Sequence, residues 1–161
     1  MLILYAMDDE AKETIKEFSF EKVGNGEVLP YELFRSEVNG QTINLATLGQ
    51  DKRFGVDSVG TVPAALTAFD LINKIKPDLI INPGTAGGFS SRGGEIGDIY
   101  LPTKILFHHR DIPMGKFEAY GLGDYEVYDH EGLKESLEFK TGVFSTSDSL
   151  TFNDKDQAFF T

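Results

Sequence analysis

Two clusters of residues in this chain have the types and spacing to do chemistry. One is the acidic run Asp8-Asp9-Glu10, which directly follows the short apolar stretch Met1 to Ala6. The other is the loop Asn82-Pro83-Gly84-Thr85-Ala86-Gly87-Gly88, which directly follows the apolar run 78–82. Glycines at the end of a strand let a ligand approach the backbone and expose amide N–H groups, and open α/β sheets bind ligands beyond the carboxyl ends of their strands. A plain tight turn uses the same glycines. The loop is neither the dinucleotide fingerprint nor a phosphate loop, since it lacks the third spaced glycine of one and the Gly-Lys-Ser/Thr of the other. The acidic run also has two readings. Carboxylates favour helix starts, where they meet free amides and the positive end of the helix dipole. A carboxylate there is equally placed to act as a base or to orient water.

Two further stretches carry reactive types. Phe107, His108, His109, Phe117, Tyr120 and Tyr125 form an aromatic stretch, read as core, as a platform for a planar ring or as a subunit interface. Adjacent histidines on a strand point to opposite faces, which argues against one ion shared by His108, His109 and Asp111. Thr146-Ser147-Asp148-Ser149 is a turn sequence whose side chains cap backbone groups, and its place after a strand puts it at a sheet edge.

The elements that must position these groups can be read from periodicity. Leu2 to Tyr5 is a short buried strand, followed by a helix from Asp8 to about Phe18 with Ala11, Ile15 and Phe18 on one face. Residues 31–37 and 42–48 alternate around Asn39-Gly40, a hairpin signal. A glycine-containing loop, 49–60, leads to a helix over about 62–74 with Pro63 near its start, and Leu66, Phe69, Leu71 and Ile72 are expected on its buried face. Lys76-Pro77 stops that helix, and 78–82 reads as a strand covered on both faces. Strands are expected over 98–106 and 139–145, loop over 107–130, and a short helix over 131–138. The sum is an α/β fold, a mixed central sheet flanked by helices, in a single domain over 1–161.

Composition narrows the partners. The chain has 161 residues, 40% of them apolar, and a net charge of −11 from 26 acidic and 15 basic residues. Nucleic acid and anionic membrane need a basic footprint that this balance does not supply. The absence of cysteine excludes, within this stretch, a disulfide, a thiolate nucleophile and a cysteine zinc site. No segment approaches the roughly 18 to 20 apolar residues of a membrane span. The apolar start is short and lacks a basic flank, so a cytoplasmic location is expected.

These segments together resemble the methylthioadenosine/adenosylhomocysteine nucleosidases, most closely the plant-type branch. The matching pieces are AMDDEA (6–11), GVDSVGTVPAALTAF (55–69), KPDLIINPGTAGGF (76–89), IGDIYLPTKILFHHRDIPM (96–114), YGLG (120–123) and STSDSL (145–150), in the family's order. The resemblance implies a nucleoside phosphorylase-like fold and hydrolysis of the N-glycosidic bond of methylthioadenosine, with adenosylhomocysteine as a further substrate of some members, in methionine salvage. It implies no cofactor, no metal, a purine nucleoside as the small-molecule partner and a homodimer. It places the water-activating glutamate at Glu10, the ribose and water site at Met7 and Val59, and a residue beside the catalytic centre at Thr85, next to Ala86 and Gly87. It places the adenine-flanking segment at Leu150 and Thr151, and a region near the dimer interface around 112–125. The family's Met-Glu pair and adenine-protonating aspartate have no counterpart in these 161 residues, so the chain reads as the N-terminal two-thirds of such an enzyme, with the general acid outside it. Two alternatives stand beside this reading. One is a phosphorylase on the same fold, with Arg53 as the phosphate partner; the other is an inactive nucleoside-binding fragment.

Overall fold

The computed structural model describes residues 1–110, 112–128, 132–133 and 139–149. They form two compact units, Met1–Ala86 and Gly87 onward.

In the first unit the strands are β1 (Leu2–Tyr5), β2 (Glu21–Asn25), β3 (Glu32–Val38), β4 (Gln41–Thr47), β5 (Gln50–Asp51), β6 (Val56–Asp57) and β7 (Ile80–Ile81), with helices α1 (Asp8–Glu17) and α2 (Thr61–Ile75). The main sheet runs β2-β3-β4-β1-β7. β3 pairs antiparallel with both β2 and β4, whereas β1 pairs parallel with both β4 and β7. The sheet is therefore mixed, as expected. The β3–β4 turn sits at Asn39 and Gly40, both at positive φ, as a tight hairpin requires.

Side chains alternate across the sheet and split the core in two. Leu2, Leu4, Ala46 and Leu48 pack with Tyr31 and with Leu71 of α2, flanked by Ala64, Ala68 and Ile75. On the other face Tyr5, Ile43 and Leu45 pack with Ala11 of α1 and with Phe20. The helices thus cover opposite faces. In the α1 segment the buried aromatic is Phe20, not the expected Phe18, because the helix ends at Glu17 and the chain turns at Ser19 with positive φ.

The α2 face differs from expectation. Only Leu71 of the four expected residues is buried; Phe69 is 71% exposed, and Leu66 and Ile72 are also exposed. α2 is apolar on more than one side, and the sheet takes the side where the small residues Ala64, Thr67 and Ala68 allow close approach around Leu71. A second difference concerns the run 78–82. Regular pairing is confined to Ile80–Ile81, which lie at the sheet's edge and are each 41% exposed rather than covered on both faces. The helix stop is as read: Lys76 adopts a left-handed conformation and its amide closes on the Ile72 carbonyl, ahead of Pro77.

The second unit is built on β8 (Tyr100–Phe107) and β9 (Lys140–Thr146), paired in parallel. The loop expected over 107–130 contains a helix, α3 (Lys116–Leu122). Its Gly121 is buried, and a Cβ there would lie 2.6 Å from the Arg110 carbonyl, so only glycine permits the approach. Arg110 clamps the same helix end, donating to the Gly121 and Tyr120 carbonyls and lying 4.8 Å from the Tyr120 ring. Asp98 ties this unit's opening turn to β9 by accepting from Lys140 Nζ at 2.7 Å. The helix expected over 131–138 lies largely outside the described residues.

Candidate active site

The parallel strands β4 and β1 end together, β7 ends two residues short of them, and the segments leaving β1 and β7 converge. Asn82, just past β7, donates its side-chain amide to the Leu4 carbonyl of β1 at 2.6 Å. This bond holds the start of the glycine loop against the end of β1. The chain after β1 enters α1 through Met7, which has extended backbone angles and supplies no capping side chain. Asp8, Asp9 and Glu10 fill the first turn.

The two candidate clusters meet through Glu10 and Thr85. The Thr85 amide and hydroxyl both donate to Glu10 Oε1, each at 2.7 Å. Gly84 makes this possible: a Cβ there would lie 3.3 Å from Oε1 and 3.5 Å from Oε2. The other carboxylate oxygen, Glu10 Oε2, is buried and has no hydrogen-bond partner among the described residues. A buried carboxylate oxygen without a donor is costly, and it is the natural acceptor for a bound donor such as water.

A further carboxylate, missed by sequence reasoning, joins this cluster. It is Asp57 of β6, whose charged neighbours are Asp8, Asp9 and Glu10 of α1. Burial pushes its carboxyl above the ordinary carboxylate value; the Asp8 carboxylate adds to that, the Asp8 amide opposes it, and Asp9 and Glu10 push it further up. Its signal in the sequence was only its place in a glycine-flanked loop.

The remaining expected residues fall as follows. Val59 is exposed and its amide donates to the Asp57 carbonyl at 2.8 Å. Ala86 follows Thr85 and is exposed, and Gly87 opens the second unit. Leu150 and Thr151 lie outside the described residues. Arg53, the candidate phosphate partner, lies 5.0 Å from the ring of its neighbour Phe54. His108 and His109 fall in the turn after β8 rather than on the strand, and both engage serines after or at the end of β9: His108 Nδ1 with Ser145 Oγ at 2.7 Å and His109 Nδ1 with Ser147 Oγ at 3.0 Å. Ser147 also accepts the Ser149 amide, the local turn bond expected of that sequence. Among the described residues no group of three or more His, Cys, Asp or Glu side chains is arranged to hold a metal ion.

A carboxylate fixed at the carboxyl edge of a mixed α/β sheet, facing a glycine loop, is the setting of a small-molecule hydrolase or transferase. The sequence profile of the phosphorylase superfamily matches residues 1–160. The chain belongs to that superfamily. Among superfamily proteins, a 5'-methylthioadenosine nucleosidase of Arabidopsis thaliana is 38% identical over 160 residues, covering 98% of this chain and 60% of that protein. A 5'-methylthioadenosine/S-adenosylhomocysteine nucleosidase of the same plant is 40% identical over 125 residues, covering 78% of this chain and 49% of its own length. The apo structure of Arabidopsis thaliana 5'-methylthioadenosine nucleosidase superposes with a TM-score of 0.94 at 37% identity, over 99% of this chain and 66% of that one. The nucleoside phosphorylase-like α/β fold is therefore the fold of this chain, which spans about three-fifths of the length of its first relative.

Proposed function

We propose that this protein hydrolyses the N-glycosidic bond of 5'-methylthioadenosine to adenine and methylthioribose, in methionine salvage. The observation that carries the reading is the asymmetry of Glu10: Oε1 is fixed by two donors from Thr85, and Oε2 is buried and unpartnered. A carboxylate held by one oxygen presents the other in a defined direction. Oε2 accepts a hydrogen bond from a water molecule and takes its proton as the water's oxygen bonds to the anomeric carbon. The C–N bond breaks as that bond forms, its electron pair leaves with adenine, and positive charge develops on the ribose. The carboxylate also stabilises that charge. Proton delivery to adenine is the task the family gives to an aspartate with no counterpart in these 161 residues. The family resemblance assigns the ribose side to Met7 and Val59, the border of the reacting centre to Thr85, Ala86 and Gly87, and the adenine side to Leu150 and Thr151. The similarity of the two Arabidopsis nucleosidases supports the substrate class.

Water rather than phosphate is the acceptor. Asp8, Asp9, Glu10 and Asp57 bring four carboxylates to one end of α1, which repel a phosphate anion. The test is product analysis after incubating the complete protein with methylthioadenosine in phosphate-free buffer. Free adenine with a reducing sugar supports hydrolysis; a sugar 1-phosphate formed only on adding phosphate overturns it. The same assay with adenosylhomocysteine reads the second substrate.

The protein is further proposed to be a cytoplasmic homodimer. Exposed Met114, Phe117 and Tyr120 on and beside α3 supply the apolar, aromatic surface that subunit contacts use. A mass of one subunit by light scattering at working concentration overturns the dimer.

A further inference from the structure

The second unit holds a cluster of histidine and serine side chains to which the reaction above gives no role. β8 and β9 run parallel, and their pairing ends at Phe107 opposite Thr146. The segments leaving them, 108–109 and 147–149, therefore start from the same carboxyl edge, where α/β sheets bind their ligands. Ser145 and Ser147 are two apart along the chain and lie on one side of it. His108 Nδ1 lies 2.7 Å from Ser145 Oγ, and His109 Nδ1 lies 3.0 Å from Ser147 Oγ. Two rungs thus tie the turn after β8 to the end of β9 and to the residues beyond it.

The rungs differ in what they hold. Ser145 belongs to β9 and is already placed by the strand pairing, opposite Leu106. Ser147 lies past the last paired residue, and its hydroxyl oxygen also accepts the Ser149 amide at 3.0 Å, which closes a local turn. That oxygen can take the amide and still donate to, or accept from, the imidazole, so the contact stands in either tautomer of His109. The histidine end is firm. The Arg110 amide closes on the Phe107 carbonyl at 3.4 Å, and the Arg110 side chain donates to the Gly121 and Tyr120 carbonyls at the end of α3. His109 is therefore presented from a turn braced by β8 on one side and by α3 on the other. It fixes the side chain on which the turn 147–149 is built.

We infer that His109 is a positioning residue for the purine side of the site: through Ser147 it sets the path of the chain into Leu150 and Thr151, which follow the turn directly. The inference rests on the nucleosidase reading, in which those two residues flank the adenine. The link acts on how the purine is held and not on the bond that breaks. Its two ends work as one unit, so the losses from removing each do not add.

The experiment is steady-state kinetics of the complete protein on methylthioadenosine, with inhibition by added adenine, for His109→Ala, His109→Asn, Ser147→Ala and the double alanine variant. His109→Ala is expected to raise KM, and the adenine inhibition constant with it, about five- to tenfold, the worth of one hydrogen bond, with kcat within about threefold of wild type. Ser147→Ala also removes the turn bond and is expected to raise both constants by as much or more. The double variant is expected to lie within about twofold of Ser147→Ala. His109→Asn sets a hydrogen-bonding atom near the place of Nδ1 and is expected to bring both constants back to within about twofold of wild type. Wild-type KM and adenine inhibition in a folded His109→Ala overturn the inference. So do single effects that multiply in the double variant, or a raised KM with unaltered inhibition by adenine. Should His109→Ala not fold, Ser147→Ala carries the same test. A wild-type protein that releases no adenine from methylthioadenosine removes the nucleosidase reading itself, whereas unaltered His109 variants beside an active wild type remove only the link.

Discussion

Thr85 binds one oxygen of Glu10 twice, through its amide and its hydroxyl, both at 2.7 Å. The pairing joins residues seventy-five positions apart, one on a helix turn after β1 and one on the loop after β7. Its consequence is directional, since fixing Oε1 leaves Oε2 as the oxygen without a partner among the described residues.

Replacing Thr85 with valine removes the hydroxyl donor and keeps shape and amide. The expectation is a fall in kcat of about ten- to hundredfold, in line with the loss of one hydrogen bond to a charged group. Thr85→Ser should restore most of it. A Thr85→Val protein with wild-type kcat means that the amide alone suffices to hold Glu10.

Gly84→Ala places a methyl group 3.3 Å from Glu10 Oε1 and 3.5 Å from Oε2. The carboxylate must move by a few tenths of an ångström. Turnover is expected to fall more than stability, with about tenfold lost from kcat and less than about 1.5 kcal/mol from unfolding. Equal kinetics in this variant would show that the loop yields instead of the carboxylate.

Much of this arrangement is legible in the sequence, for identifiable reasons. The periodic elements were: β1, α1, the Asn39-Gly40 hairpin, α2 and the strands β8 and β9 have side-chain patterns that local geometry enforces. The convergence of Glu10 with the glycine loop followed from β1 and β7 being parallel neighbours, which the residues alone left conditional. β2 escaped because Glu21–Asn25 is a mostly exposed edge strand containing glycine, with no alternation to read. The buried side of α2 was misjudged because hydrophobicity ranks Phe69 above Ala64 and Thr67, while close helix-on-sheet packing selects the small residues. α3 was hidden by the glycines within and beside it, and Asp57 because a two-residue strand leaves no periodic trace.

The α2 packing gives its own test. Leu71→Ala should cost about 2–5 kcal/mol of unfolding free energy, the range for emptying a fully buried leucine site. Phe69→Ala, at a position 71% exposed, should cost less than about 1 kcal/mol. Denaturant unfolding of both variants reads the difference, and equal losses would contradict the orientation of the helix.

Tyr31, Asp70 and Lys74 make a pH-dependent staple between the chain entering β3 and α2. Asp70 Oδ2 accepts from Lys74 Nζ at 2.9 Å and from the Tyr31 hydroxyl at 2.7 Å. The hydrogen bond from Lys74, then that from Tyr31, holds the Asp70 carboxyl below its ordinary value of 3.8. A depressed carboxylate stabilises above 3.8, and that contribution is lost as pH falls through the lower folded value. On the alkaline side, hydrogen bonds to Asp70 and then Tyr31 raise Lys74 above 10.5, while burial and then Asp70 raise Tyr31 above 10.0. Those contributions are complete below the ordinary values and are lost as pH rises through the folded ones. Asp70→Asn should therefore lower the melting temperature at pH 7, with the deficit fading as pH drops below 3.8. A deficit that persists undiminished to pH 2 would contradict ion pairing as its source.

The central claim is that Glu10 Oε2 orients the attacking water, and turnover of methylthioadenosine by Glu10→Gln in the complete protein tests it most directly. The amide keeps an oxygen beside Thr85 but cannot take a proton. The account predicts a loss of kcat of at least about a hundredfold, with substrate affinity and melting temperature close to wild type. Wild-type turnover in a folded Glu10→Gln protein would contradict it and leave Glu10 a structural link between α1 and the glycine loop.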